Sequence, residues 1–220
     1  MQPKTKDTLK NIAPYKQGQG SIAGKNRVIK LSANELPYPP SPAALEAFHN
    51  TEPSLGRYPD GSQAALRNAI ALQFSVPTEN IFAGNGSEEA IGLVIRAILS
   101  NDEQMVISEN SFIMAEIYAR SVGGDIVKCV EKAHRVDVDA MLAAVTDKTR
   151  IVYLCSPNNP TGTYSTIEEI TRLEARLPEG VLLILDAAYA EFVTADDYDC
   201  GIRTLFDPDG RVVVTHTFSK

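Results

Sequence analysis

Apolar residues follow two kinds of pattern along the chain, and together they predict an alternation of strands and helices. Ser87–Leu99 repeats apolar side chains at Ala90, Ile91, Val94, Ile95 and Ile98, the spacing of one helical face. Short apolar runs predict strands at Ile81–Gly84, Gln104–Ser108, Asp125–Val130, Arg150–Cys155, Val181–Leu185 and Arg211–His216. Val181–Leu185 is apolar throughout, as a strand covered on both faces should be. Helices are predicted over Phe112–Val122, over Val138–Val145 and from Thr166 to Leu177. The last opens on Thr166-Ile167-Glu168-Glu169, a threonine cap with a glutamate three residues on. Earlier in the chain, helices are expected over Pro42–Asn50 and Ser62–Phe74, with a Pro/Gly-rich turn at Thr51–Gly61 between them. Residues 1–40 carry Pro14, Gly18, Gly20, Gly24 and Pro37-Tyr38-Pro39-Pro40, which predict an irregular arm. Strand–helix alternation of this kind predicts an α/β fold with a mostly parallel sheet and flanking helices.

Composition narrows the functional classes. A chain of 220 residues, 44% hydrophobic and 22% charged, is ordinary for a soluble globular domain and long enough for a core of its own. A net charge of −7 argues against non-specific nucleic-acid binding, which needs a basic face. It leaves an anionic ligand open, because a helix N-terminus binds phosphate whatever the net charge. Cys129, Cys155 and Cys200 are too few and scattered for a disulfide framework, and the three histidines form no cluster, so no metal site is expected. The stretch MQPKTKDTLKNIAPY lacks a signal-peptide core and no run is long enough to span a membrane. The expected setting is the cytoplasm, with neither membrane nor nucleic acid as partner.

In parallel α/β sheets ligands collect beyond the C-terminal ends of strands, and the unusual motifs stand there. Gly84-Asn85-Gly86-Ser87-Glu88-Glu89 joins a predicted strand to a predicted helix. It reads as a phosphate cradle, or as a turn with Ser87 as cap and two acids favouring the helix dipole. Ser156-Pro157-Asn158-Asn159-Pro160-Thr161-Gly162 presents two carboxamides on a rigid backbone. Asp186 closes an apolar run, and Tyr189 follows three residues later. A carboxylate so placed is costly to desolvate unless a cation meets it. A helix cap, an ion pair within the protein or a bound cationic ring nitrogen would each account for it. Thr215-His216-Thr217-Phe218-Ser219-Lys220 follows the final predicted strand.

That ordered set, with Lys30-Leu31-Ser32-Ala33-Asn34-Glu35 and Arg57-Tyr58-Pro59-Asp60-Gly61, resembles fold-type I pyridoxal-phosphate (PLP) enzymes of the aminotransferase superfamily. Within that superfamily it most resembles the histidinol-phosphate aminotransferases, over almost the whole chain. The resemblance implies that Lys220 would hold PLP and move the substrate's proton. Asp186 would pair with the protonated ring nitrogen, and Asn159 and Tyr189 would bond the ring's O3′. Phe112 would stack on the ring, although a Phe in a helix core is a competing assignment. Backbone N–H groups of Ser87 and Glu88, with Thr217 and Ser219, would hold the phosphate. Tyr58 would reach it from the partner subunit of a homodimer, while Tyr15 and Asn34 would lie near the substrate.

The same resemblance divides the chain into an arm with part of a small domain over 1–40 and a PLP-binding large domain over 41–220. It implies transamination between histidinol phosphate and glutamate/2-oxoglutarate in histidine biosynthesis. Family members continue beyond the lysine through a small C-terminal domain, so these 220 residues are expected to be part of a longer chain. Leu36 and Pro39 depart from the family's usual Asn-Glu-x-Pro-x-Gly-Pro wording, which loosens the substrate assignment. An aromatic amino-acid aminotransferase or a threonine-phosphate decarboxylase would carry similar motifs. A non-catalytic PLP-fold ligand-binding domain is the alternative of a different class.

Overall fold

In the computed structural model, which describes residues 4–10, 12–13, 15, 20–24 and 26–220, five parallel strands lie in the order β2-β1-β3-β4-β5. They are β1 (Gln104–Ser108), β2 (Asp125–Cys129), β3 (Thr149–Cys155), β4 (Leu182–Asp186) and β5 (Val212–Thr215). The helices are α1 (Pro42–Thr51), α2 (Ala64–Phe74), α3 (Gly86–Ile98), α4 (Ile113–Val122), α5 (Val138–Ala143) and α6 (Ile167–Arg176). Pro14 and Gly18 of the expected arm lie outside the described residues. The chain passes outward from β1 to β2, then returns to lay β3 on the other side of β1. Sheets with such a reversal usually bind ligands beyond the C-terminal ends of the two strands it separates, here β1 and β3.

Two apolar layers sandwich the sheet, and the period-2 alternation of strand side chains assigns residues to each. Val152 and Leu154 of β3 join Leu183 and Leu185 of β4 against Met141, Ile170 and Leu173 of α5 and α6. Ile151, Tyr153 and Ile184 face the other way, against Ile91 and Ile95 of α3 and Ala115 and Ala119 of α4. Each large side chain buried this way contributes roughly 1.5–3 kcal/mol.

Local chemistry sets the helix ends. The Thr166 hydroxyl accepts from Glu169 N at 3.2 Å, and the Glu169 carboxylate accepts from Thr166 N at 2.9 Å, so the capping box forms as the sequence predicts. Helix α4 stops at Gly123, whose φ of 92° is left-handed backbone that glycine adopts without strain. Arg203 donates to the Phe74 and Gln73 carbonyls at 2.8 and 2.7 Å, tying the end of α2 to the rest of the chain.

Three expectations about local structure differ from the fold. Ile81–Gly84 forms no strand; among the described residues no strand pairs with it, and a strand needs a neighbour to bond its backbone. Helix α3 opens at Gly86, with Asn85 as N-cap, so Ser87 lies inside the first turn rather than capping it. The end is closed instead by the Glu89 carboxylate, which accepts from Asn85 N at 2.6 Å. Phe112 stands just before α4, which frees its backbone to turn at the end of β1. No helix among the described residues is long and apolar enough to cross a membrane.

Candidate active site

Asp186 is the last residue of β4, with Cys155 of β3 and Thr215 of β5 as its neighbours in register. Strand alternation puts its side chain on the same face as Ile184 and Tyr153, where it is only 3% exposed. Its Oδ2 accepts from the Tyr153 hydroxyl at 2.5 Å. Its Oδ1 accepts from Ala188 N at 3.2 Å and from the Thr215 hydroxyl at 3.3 Å. No ion pair reaches it among the described residues. Burial raises its carboxyl above the ordinary value of 3.8 despite those donors and the nearby His216. A buried carboxylate met only by neutral donors is under electrostatic pressure to take up a cation or a proton.

The rim around Asp186 gathers several of the predicted residues. Tyr189 follows β4 directly, and its hydroxyl accepts from Asn34 Nδ2 at 3.0 Å. The Lys220 ammonium lies 5.5 Å from the centre of the Tyr189 ring, within cation–π range. Gly86 carries a φ of 76°, and a Cβ built there would stand 3.8 Å from the Thr217 hydroxyl. The glycine-rich turn and the Thr217–Lys220 segment are therefore neighbours, although 130 residues separate them in the chain. Ser87 and Glu88 occupy the first turn of α3, where backbone N–H groups have no intrahelical acceptor. The Thr217 and Ser219 hydroxyls are 2.9 Å apart, and Ser219 N donates to Thr217 Oγ1 at 3.3 Å.

The two carboxamides after β3 divide their labour. Asn158 is buried and braces the loop, donating to Asn110 O at 2.6 Å and Thr161 Oγ1 at 2.8 Å. Asn159 is half-buried, and its side chain has no hydrogen-bond partner among the described residues. The free amide of the pair is thus the one adjoining Pro160. Phe112 is half-buried at the end of β1 and packs on the α3/α4 layer. Two predicted residues stand apart: Tyr58 is fully exposed, and Tyr15 is 62% exposed.

Two residues at this rim were not singled out from the sequence. Tyr153 is read there only as part of an apolar strand, yet its hydroxyl reaches Asp186. Glu131 follows β2 and accepts from Ser108 Oγ at 2.5 Å, Asn110 N at 3.1 Å and Asn110 Nδ2 at 3.0 Å. Burial works to raise its carboxyl, but the Asn110 and Ser108 hydrogen bonds outweigh it and leave it below the ordinary 4.5. Through Asn110 it braces the loop that carries Phe112, and Asn110 O in turn receives Asn158. The sequence carried little signal for it: the strand before Glu131 includes Asp125 and Lys128, whereas the run that Asp186 closes is apolar throughout.

Residues 26–220 match the family described as aminotransferase class I and II. A histidinol-phosphate aminotransferase of Granulibacter bethesdensis is 43% identical over 218 residues, covering 99% of this chain and 59% of that protein. One from Paramagnetospirillum magneticum is 41% identical over 218 residues, covering 99% of this chain and 60% of the relative. Among solved structures, the Sinorhizobium meliloti histidinol-phosphate aminotransferase in complex with pyridoxal-5'-phosphate superposes with a TM-score of 0.80 at 28% identity. That superposition covers 86% of this chain and 51% of the other. The chain therefore spans less than two thirds of the length of these relatives.

Proposed function

The chain belongs to the aminotransferase class I and II family, and from that premise we propose that its protein is a PLP-dependent histidinol-phosphate aminotransferase working with glutamate/2-oxoglutarate. The observation that carries the reading is Asp186: a 3%-exposed carboxylate at the C-terminal end of a parallel strand, met by neutral donors alone. A protonated pyridine ring supplies the missing cation, so the residues present fit the cofactor. PLP, when bound, supplies an electron sink that lets the carbon bearing the substrate's amino group lose a proton.

The chain's own residues do the rest. Asp186 keeps the ring nitrogen protonated. Asn159, whose amide is free among the described residues, and Tyr189 would orient the cofactor through its phenolic oxygen, and Phe112 would stack on the ring. The unpaired N–H groups of Ser87 and Glu88, aided by the helix dipole, hold the phosphate together with Thr217 and Ser219. Lys220 anchors the cofactor and carries the proton at the reacting carbon, a role that typically contributes about 10²–10⁴-fold. Asn34 and Tyr15 serve the substrate end. We assign residues 41–220 to the cofactor-binding domain and 1–40 to an arm and part of a small domain.

Histidinol phosphate is favoured as substrate by relatives of that name at 41–43% identity over nearly the whole chain. A homodimer is favoured by Tyr58, exposed together with Leu45, Phe48, Leu55 and Leu72, which would reach the partner subunit's site. The cytoplasm is the expected compartment of such a biosynthetic enzyme. The test is borohydride reduction of the full-length native protein, followed by peptide mass analysis and assays with histidinol phosphate or aromatic amino acids as amino donor. A phosphopyridoxyl group on Lys220 and preferential turnover of histidinol phosphate are expected. An unmodified Lys220 would refute the cofactor assignment, and preference for aromatic amino acids would refute the substrate.

A further inference from the structure

We propose that Tyr153 is a positioning residue of this site: its buried hydroxyl aims the Asp186 carboxylate and keeps it ionised for a cationic partner. The inference rests on the PLP reading above and concerns a residue outside the predicted cofactor contacts.

Tyr153 lies mid-strand in β3 and is fully buried. Its neighbours in that layer include Ile91, Ile95, Met105 and Ile184. A phenylalanine would fill the same space without bringing a hydroxyl that must find a partner away from water. The partner it finds is Asp186, at 2.5 Å, the short range of hydrogen bonds to an ionised acceptor. Strand register makes this contact possible: Tyr153 pairs with Ile184, and Asp186 is the next residue of β4 on the same face.

The remaining donors show what Tyr153 leaves open. A carboxylate has about four lone-pair sites. Tyr153 takes one on Oδ2, while Ala188 N and Thr215 take two on Oδ1. One site remains on Oδ2, enough for a single N–H such as that of a pyridinium ring and too little for a bidentate guanidinium. Three donors from three segments also fix the carboxylate plane, so that site points in one direction. The titratable groups facing Asp186 are Tyr153 and Cys155 on β3 and His216 past β5, the last bonded to Glu191 at 3.2 Å. Burial pushes both the Tyr153 and Cys155 groups well up, so they face Asp186 uncharged.

The test uses the full-length protein stripped of cofactor, with PLP affinity titrated across a pH series for wild type and Tyr153→Phe. Loss of the donor makes the carboxylate easier to protonate, and a protonated Asp186 no longer attracts the pyridinium. The acid-side loss of affinity is therefore expected to move up by about one to two pH units, the equivalent of one hydrogen bond to a charged group. His216→Gln serves as a control and should leave the difference between Tyr153 and Phe intact. Should Tyr153→Phe not fold, placing 3-fluorotyrosine, a stronger donor, at position 153 alone should move the limb down instead. An acid limb that stays in place would overturn the Tyr153 role while leaving the PLP reading standing. A wild-type protein that binds no PLP would overturn both.

Discussion

From Ile91 to Thr215 every α-helix and strand contributes at least one buried side chain, whereas α1 and α2 contribute none. The contrast is not one of composition. Helix α1 carries Leu45 and Phe48, and α2 carries Leu66 and Leu72, yet all four are exposed. Most helix stability in proteins comes from packing an apolar face rather than from propensity. The sheet does not cover the apolar faces of α1 and α2. Site candidates divide along the same line. Asp186, Asn159, Thr217 and Lys220 stand on the sheet's rim, held by strands that pack on both faces. Asn34 and Tyr58 come from the weakly packed stretch, and only Asn34 touches the rim, through Tyr189. The sheet's rim is thus built by the packed half of the chain, and the weakly packed half adds to it only through Asn34.

Four experiments would break or sharpen that contrast. Lys220→Ala in the full-length protein should cut turnover by about 10²–10⁴-fold, the usual worth of a positioned proton carrier. It should also abolish the borohydride-fixed adduct, and full activity in this variant would remove the rim from the chemistry. Next, Leu154→Ala in the core should cost about 2–5 kcal/mol in urea unfolding, against within about 0.5 kcal/mol for Leu72→Ala on the surface of α2. Equal costs would mean that α2 is packed in solution as firmly as the sheet.

Tyr58→Ala should weaken PLP affinity about 10–100-fold if its hydroxyl reaches the phosphate of the partner subunit's cofactor. Mixing it with Lys220→Ala should restore some activity in a heterodimer, because one of the two sites would then be whole. No recovery in a proven heterodimer would confine each site to one chain. The smallest effect belongs to Glu131→Gln, which should lower stability by about 1 kcal/mol at neutral pH, since its hydrogen bonds are only partly shielded from water. The Glu131 carboxyl is depressed in the folded state, so its contribution is full above the unfolded value near 4.5 and fades as pH falls through the folded one. The stability difference between wild type and variant should therefore be largest at neutral pH and shrink progressively as the pH is lowered below 4.5 in a series of unfolding curves.

Much of the fold was legible because strand and helix patterns are local. The run Gln104–Ser108 and the Thr166 capping box stand where the periodicity puts them. The one missing strand, Ile81–Gly84, shows the limit: β-propensity states a preference, but a strand exists only beside another. Asp186 was legible as a candidate because a carboxylate ending an apolar run is anomalous within a few residues. Glu131 lacks that mark, since Asp125 and Lys128 break up the run before it and one more charge there is not anomalous.

By itself, then, the sequence determined the order of strands and helices, the Thr166 capping box and the placing of polar motifs at strand ends. Each of these is settled by residues within one turn or one strand of each other. Only the tertiary structure decided which partners those motifs have: Tyr153 for Asp186 across 33 positions, and Asn34 for Tyr189 across 155. It also decided that Asn158 braces the loop while Asn159 stays free. Partners of that kind depend on register between strands and on which segments fold back over the rim. No local pattern encodes that distance, because the energy that fixes it comes from the packing of the whole sheet.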